Sequence, residues 1–163
     1  MRRTGWEKID IEAGVITLRP GMALTLNGIG QGYVADRVAA LLEAEGLTDI
    51  LIDTGEMRAL GGSPDGGDWP VRLESGERVP LHQRALATSA PLGTTFDQGG
   101  RDGHILDPMT GRPSSFAWRS VSITAPSAAL ADALTTAACL MPDRESIDDM
   151  LRQFPDTRLD SLS

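Results

Sequence analysis

Residues 127–140, SAALADALTTAACL, combine an apolar helical pattern with two oxygen-bearing side chains at a spacing suited to a shared ligand. Asp132 is the one charged residue in this stretch, and no Lys or Arg lies between Arg119 and Arg144. Thr136 follows Asp132 by four residues, so both side chains share one helix face. A carboxylate and a hydroxyl placed in this way form half of a site for a hard cation such as Mg²⁺. The structural alternative is a solvent-exposed Asp132, or one paired with a distant arginine.

Three glycines, Gly28, Gly30 and Gly32, precede a predicted helix in the stretch NGIGQGYVADRV. Glycines before a helix allow a phosphate to approach backbone N–H groups closely. The spacing partly matches a dinucleotide-binding turn of the Rossmann type, with Asp53 at the end of the next predicted strand. However, Tyr33 occupies the place of the third glycine of that pattern. The other alternative is a tight turn whose backbone dihedral angles favour glycine.

Two further stretches contain polar side chains that could take part in chemistry. Residues 103–113, GHILDPMTGRP, hold His104 and Asp107 among turn-forming residues, which predicts a surface loop of fixed shape. A histidine and a carboxylate in such a loop serve acid–base catalysis or ligand binding, unless Asp107 only shapes the turn. Thr88 and Ser89 follow a predicted strand, where hydroxyls bind phosphate or simply end the strand.

The elements that would hold these residues mix strand and helix patterns without strict alternation, which predicts an α+β fold. Strand patterns occur in VITLRPGMALTLNG (two strands around Pro20-Gly21), LTDILIDTG, WPVRLE, RALATSA and SVSITAP. Helix patterns occur in GYVADRVAALLEAEG, in SAALADALTTAACL with Ser127 as the expected N-cap, and in DRESIDDMLRQF. The tail PDTRLDSLS is expected to fray.

Composition excludes several classes of function. The 163 residues are expected to form one domain, 1–163, and a net charge of -8 with only 4% aromatic residues argues against nucleic-acid binding. No apolar run reaches the ~18 residues of a membrane span, and MRRTGWEKIDIEAG has no apolar core of a signal peptide. The single cysteine, Cys139, lies in the apolar helix, where a buried and inert thiol is expected.

Taken in chain order, LNGIGQGYVADRV, DTGE, ATSAP, GHILDPMTGRP and SITAPSAALADALTTA resemble the FAD:protein FMN transferases, the ApbE family. The resemblance covers roughly residues 15–141, and H-I-x-D-P-x-T-G and A-D-A-L-x-T are its most specific parts. It implies an ApbE-like fold, related to the T-fold, with a mixed sheet and packed helices. It also implies that the chain is the C-terminal portion of such a transferase, incomplete at its N-terminus. The first three stretches look most like the NosX branch, which is associated with maturation of nitrous oxide reductase.

The resemblance implies a reaction and a set of site residues. FMN would move from FAD to a Thr or Ser hydroxyl of a target protein, with release of AMP and with Mg²⁺ on the phosphates. Asp132 and Thr136 would be side-chain metal ligands, with the backbone carbonyl of Gly30 as a third. His104 and Asp107 would be the catalytic residues of the loop over the diphosphate. The remaining contacts to the cofactor would come from Gly28, Gly30, Gln31, Gly32, Glu56, Ser89, His104 and Thr110.

Some positions depart from the family pattern, so other functions stay open. Gln31 stands where Lys is usual, Glu56 where Asp is common, and Asn27 where Gly is usual. The alternative function is a truncated, non-catalytic FAD- or nucleotide-binding module, and a third is a folding domain that needs a second chain. The implied partner is a flavin-acceptor protein, in the NosX branch an electron-transfer protein of nitrous oxide reduction. The family implies a periplasmic location, while the expected lack of a leader in this chain leaves the cytoplasm open.

Overall fold

The structure, a computed structural model, describes residues 4–115 and 118–163 as a five-stranded sheet with helices on one face and a hairpin on the other. A 3₁₀ turn at Trp6–Lys8 precedes the first hairpin. The strands are β1 (Asp10–Glu12), β2 (Val15–Thr17), β3 (Ile50–Asp53), β4 (Met57–Leu60), β5 (Trp69–Arg72), β6 (Arg78–Leu81), β7 (Ala85–Ser89), β8 (Leu106–Asp107), β9 (Arg112–Pro113), β10 (Val121–Ala125) and β11 (Arg158–Leu162). The helices are α1 (Gly30–Ala44), α2 (Ala128–Ala138) and α3 (Arg144–Leu151).

The main sheet has the strand order β11-β10-β7-β4-β3, and every neighbouring pair in it is antiparallel. The predicted α+β class is therefore confirmed. A Rossmann site needs parallel strands joined by crossover helices, so the Rossmann interpretation of the three glycines is wrong. The short pairs β1-β2, β5-β6 and β8-β9 form separate two-stranded units.

The two faces of the sheet bury different neighbours because side chains alternate along each strand. On β4, Leu60 packs with Ala39 of α1, while Ala59 packs with Val71 and Leu81 of the β5-β6 hairpin. On β10, Val121 and Ile123 pack with Leu134 of α2, and Ile147 of α3 belongs to the same cluster. Helices α1, α2 and α3 thus cover one face and the hairpin covers the other.

Helix α2 is the most completely buried helix of the part of the chain that the structure describes. Ser127 caps it as predicted, since its Oγ accepts a hydrogen bond from the Leu130 N–H at 3.3 Å. Cys139, at the end of the helix, is fully buried, which confirms the expected packing of the thiol. No helix among residues 4–115 and 118–163 is long and apolar enough to cross a membrane.

Two predicted elements differ from the structure. The turn at Pro20-Gly21 forms, but residues 22–26 are not a strand, and β2 pairs instead with β1 around Gly14. The tail does not fray: residues Arg158–Leu162 are the edge strand β11. Leu159 and Leu162 pack against the apolar cluster under α2, and the Asp160 carboxylate accepts the Thr124 N–H at 2.9 Å. Tertiary contacts therefore order a segment whose polar composition suggested a loose end.

Candidate functional site

One cavity of about 300 Å³ gathers most of the predicted site residues where α2 passes the end of β7. The apolar helix contributes Asp132 and Thr136 to its wall, and β7 contributes Ser89. The other polar side chains that line it are Asn27, Gln31, Glu56, Thr88, Thr94 and His104. Residues that are far apart in sequence thus face a single small volume, which a phosphate group or a cation could occupy.

Asp132 is buried, with 4% of its surface exposed, so the solvent-exposed alternative is wrong. Its Oδ2 accepts a hydrogen bond from the Gly32 N–H at 3.0 Å. Burial raises the pKa of this carboxyl, and the Gly32 N–H offsets only part of that effect. Within residues 4–115 and 118–163 the carboxylate forms no ion pair, so the alternative in which Asp132 pairs with a distant arginine of this part of the chain is also wrong.

Gly32 has a steric role at the crossing of α1 and α2. A Cβ atom there would lie 2.2 Å from the Ala128 carbonyl oxygen, so only glycine allows the two helices to approach this closely. At Gly28 a Cβ atom would lie 2.8 Å from Cγ2 of Thr136. Neither these two glycines nor Gly30 has a positive φ. The prediction of a turn with unusual dihedral angles is therefore wrong, and close approach explains Gly28 and Gly32.

Asp36, which the sequence analysis missed, joins the two helices. Its Oδ1 and Oδ2 accept the N–H groups of Ala128 and Ala129, each at 2.9 Å, and so cap the start of α2 from outside. The Arg58 Nε lies 3.4 Å from Oδ1 of the same carboxylate. Asp36 is four residues after Gly32 and hence on the same face of α1. That spacing was the available sequence signal. Through its contacts with Ala128, Ala129 and Arg58, the Asp36 carboxylate connects α1 to both α2 and β4.

A chain of hydroxyl groups connects β7 to α2 at the cavity wall. The Ser89 Oγ donates to Thr135 Oγ1 at 2.9 Å and lies 3.4 Å from Thr136 Oγ1. Thr135 Oγ1 in turn donates to the Asp132 carbonyl at 2.9 Å. These bonds fix the side chains of α2 relative to the sheet, and they leave Thr136 facing the cavity beside the Asp132 carboxylate.

Glu56 is the second buried carboxylate of the cavity, with 6% of its surface exposed. Burial and the nearby charges of Asp132 and Asp53 raise the pKa of Glu56 to about 7, against the lowering effect of the Thr88 backbone N–H. Its Oε2 is buried and has no hydrogen-bond partner among the described residues. A buried and unpartnered carboxylate oxygen is costly, so this position favours a ligand that supplies positive charge or a proton.

His104 lies at the boundary between this cavity and a larger, more open one of about 630 Å³. Asn27 and Gln31 also line both cavities, whereas Gly30 lines only the larger one. The His104 Nδ1 is 3.1 Å from the Thr94 carbonyl oxygen. A carbonyl can only accept, so this bond requires Nδ1–H and leaves Nε2 of the neutral ring able to accept a proton.

The structure does not bring Asp107 and Thr110 to the same cavity. Both line a separate cavity of about 200 Å³. Asp107 shapes its own loop, since its Oδ1 accepts the Met109 N–H at 2.8 Å and its carbonyl accepts the Gly111 N–H at 2.7 Å. The turn-forming alternative accounts for these contacts, and the catalytic role of Asp107 stays a prediction.

The cavity of about 300 Å³ fits a hard divalent cation, because most of its polar side chains offer oxygen atoms, as carboxylates, hydroxyls or amide carbonyls, and His104 is the exception. No group of three or more His, Cys, Asp or Glu side chains in the described parts of the chain is placed to hold a metal ion. A cation here would therefore complete its coordination with hydroxyls, backbone carbonyls, water or the phosphates of a nucleotide, as Mg²⁺ commonly does.

Comparison with known proteins gives a consistent set of relatives. The model of the ApbE family matches residues 1–158. The FAD:protein FMN transferase of Treponema pallidum is 32% identical over 181 aligned residues, which cover 95% of this chain and 50% of that protein. The one from Vibrio cholerae is 30% identical, with 88% of this chain and 46% of that protein covered. The chain thus spans about half the length of these relatives.

Solved structures agree with this grouping. The apo form of the Pseudomonas stutzeri flavinyl transferase ApbE matches 93% of this chain and 48% of its own, with a TM-score of 0.75 and 29% identity. The ApbE protein of Thermotoga maritima matches 99% of this chain and 58% of its own, with a TM-score of 0.84. At 24% identity the second likeness supports the fold alone.

Proposed function

The chain belongs to the ApbE family, and from that premise we propose that it serves in the transfer of FMN from FAD to a hydroxyl group of a protein. Its matched relatives are named FAD:protein FMN transferases. The observation that carries the proposal is the cavity in which the buried Asp132 and Glu56 and the half-buried Thr136 face His104. A diphosphate with a divalent cation suits this combination of oxygen ligands and an imidazole.

In this proposal Asp132 and Thr136 would hold Mg²⁺ near the diphosphate of FAD, and the Gly30 carbonyl, from the wall of the neighbouring larger cavity, would be a third ligand. When bound, Mg²⁺ would neutralise the diphosphate and polarise the phosphorus for attack. The Gly32 N–H keeps the Asp132 carboxylate oriented, because it occupies Oδ2 and leaves Oδ1 for the cation. Ser89 and Gln31, which also line this cavity, would contact the nucleotide phosphates.

His104 would accept the proton of the attacking hydroxyl. The oxygen of an acceptor Thr or Ser forms a bond to the phosphorus of the FMN half, and the bridging P–O bond breaks. AMP leaves with the bridging oxygen, and the hydroxyl proton passes to Nε2 of His104. The Thr94 carbonyl accepts the Nδ1–H of His104, so Nε2 is the nitrogen that can take the hydroxyl proton. The role of Asp107 would be to keep the shape of the loop that carries His104.

The test is AMP formation from FAD by the purified chain in Mg²⁺, followed by chromatography, with and without a Thr-containing acceptor protein. We expect AMP release that requires Mg²⁺ and falls at least a hundredfold in Asp132→Asn. Asp65→Asn, which changes an exposed loop carboxylate, is the matched control and should retain the activity. FAD binding without any AMP would favour the alternative, a non-catalytic nucleotide-binding module. The acceptor in nitrous oxide reduction, the NosX branch and the periplasmic location stay predictions.

A further inference from the structure

The turn between β3 and β4 directs Glu56 into the cavity. Gly55 adopts a φ of +100°, and its N–H donates to the Asp53 Oδ1 at 3.1 Å. The Thr54 N–H donates to the Glu56 carbonyl at 3.2 Å, which closes the turn. Glu56 therefore lies immediately before β4 on a hydrogen-bonded turn, and its side chain is buried.

Two buried carboxylates, those of Glu56 and Asp132, then face one small volume whose described lining contains His104 but no Lys or Arg. Neither Glu56 nor Asp132 forms an ion pair within residues 4–115 and 118–163. Arg58, two residues after Glu56, is engaged elsewhere, with its Nε on Asp36 and its Nη1 donating to the Ala59 carbonyl at 2.8 Å. Like charges in a buried site are stable only with a counter-ion or a proton.

The unpartnered Oε2 of Glu56 identifies what the cavity lacks. A hydrogen-bond donor of a nucleotide would satisfy this oxygen but would leave both negative charges in place. A divalent cation satisfies the oxygen and cancels both charges, and oxygen ligands of this kind are those that Mg²⁺ and Mn²⁺ prefer. The hydroxyl of Thr136 lies in the same wall and adds a neutral ligand.

We propose that Glu56 is a metal ligand, and that it holds one divalent cation jointly with Asp132 through its buried Oε2. The proposal rests on the proposed function only where it identifies this ion as the one that accompanies the diphosphate of FAD. Glu56 would then contact the metal ion, whereas the family resemblance implies that it contacts the cofactor. This role also explains why a longer carboxylate is useful here, since Glu reaches farther from the strand than Asp.

The experiment measures Mn²⁺ binding to the full chain without nucleotide, from the electron paramagnetic resonance signal of free Mn²⁺. Glu56→Gln keeps the shape of the side chain and removes its charge, and we expect its affinity to fall at least tenfold. Asp132→Asn should lose a similar amount. Glu43→Gln, which changes an exposed carboxylate of α1, is the control and should stay within twofold of the unchanged chain. Circular dichroism verifies that each variant is folded.

Glu56→Asp is a second variant, which keeps the charge and shortens the side chain by one methylene group. We expect it to bind Mn²⁺ more tightly than Glu56→Gln and more weakly than the unchanged chain. Loss of affinity in Asp132→Asn but not in Glu56→Gln would overturn this inference and leave the metal role of Asp132 intact. If Glu56→Gln binds Mn²⁺ normally but binds ADP weakly, Glu56 serves the nucleotide and the inference is wrong. Absence of Mn²⁺ binding by the unchanged chain would overturn both metal assignments. AMP release is measured in a separate experiment, so a failure of the metal assignment can be distinguished from a failure of the proposed function.

Discussion

Helices α1 and α2 lie against each other but use their apolar residues in opposite ways. In α2 the buried set includes Leu134 together with Asp132 and Thr135. In α1 the buried residues are Gly32, Ala35 and Ala39, while larger apolar side chains such as Leu41 are exposed. The difference shows that close helix packing here depends on small residues. It also shows that polar groups can be buried when a neighbouring element bonds them, as Gly32 of α1 does for Asp132 and Ser89 of β7 does for Thr135.

The largest expected effect on the free energy of unfolding comes from one member of a matched pair of leucine-to-alanine substitutions. Leu134 is 4% exposed and packs in the cluster under α2, so Leu134→Ala should lower the free energy of unfolding by about 3 to 4 kcal/mol. Leu41 is 64% exposed, so Leu41→Ala should change it by less than about 0.5 kcal/mol. Chemical denaturation measures both. A large loss for Leu41→Ala would contradict the contrast between the two helices.

A second pair changes the crossing of the helices. In Gly32→Ala the new methyl group meets the Ala128 carbonyl oxygen and must push the helices apart, which should cost about 3 kcal/mol. Gly30→Ala places a methyl group in open space at the start of α1 and should stabilise the chain by up to about 1 kcal/mol. Thermal unfolding of the two variants gives the comparison. Equal effects would show that close approach at Gly32 is not what glycine provides.

The third prediction concerns pH and Glu56, whose carboxylate enters the cavity from the turn between β3 and β4. The pKa of Glu56 is raised from 4.5 to about 7, so between these values the unfolded chain loses its proton first. Folding stability therefore falls as pH rises from about 4.5 to 7, by up to about 3 kcal/mol, when no divalent cation is added. In Glu56→Gln this contribution disappears. Urea unfolding at pH 4 and pH 8 measures the free energy of unfolding of both proteins. Between these two pH values the unchanged chain should lose more stability than Glu56→Gln, and an identical pH dependence in both would refute the assignment.

The fourth and smallest effect tests the capping of α2 from α1. Asp36→Ala removes the acceptor of two backbone N–H groups and the partner of Arg58, which should cost about 2 kcal/mol. Asp143→Ala removes the N-cap of the more exposed α3 and should cost about 1 kcal/mol. Only the first variant should also weaken Mn²⁺ binding, because only Asp36 sets α1 against α2. Loss of Mn²⁺ affinity in both variants would indicate a general effect of stability.

The sequence predicted the elements whose signals are local. Ser127 as an N-cap, the strand that ends at Asp53 and the helical phase of Asp132 and Thr136 all follow from short-range spacing. The exposure of Leu41 and the pairing of β11 could not be predicted in this way, because both depend on which surfaces meet in three dimensions. The same reason applies to Asp36, whose partners lie 92 and 93 residues away in the chain.

The site shows the same division between local and long-range information. Resemblance to known motifs identified Asp132, Ser89 and His104, and the structure places all three on one cavity. The motif also included Asp107 and Thr110, which the loop turns toward a different cavity. The burial of Glu56 and its unpartnered oxygen became visible only in the structure, where the turn between β3 and β4 places this side chain in the cavity beside Asp132 of α2.

The burial of Cys139 has a practical consequence for following motions of this protein. Burial raises the pKa of the thiol to about 12, so at pH 7 only about one molecule in 10⁵ carries the reactive thiolate. The Sγ atom also lies 3.8 Å from the Ser89 carbonyl, against the strand that lines the cavity. A thiol reagent can therefore react only after the end of α2 separates from β7. Because the chain has no other cysteine, the labelling rate would report how often that separation occurs.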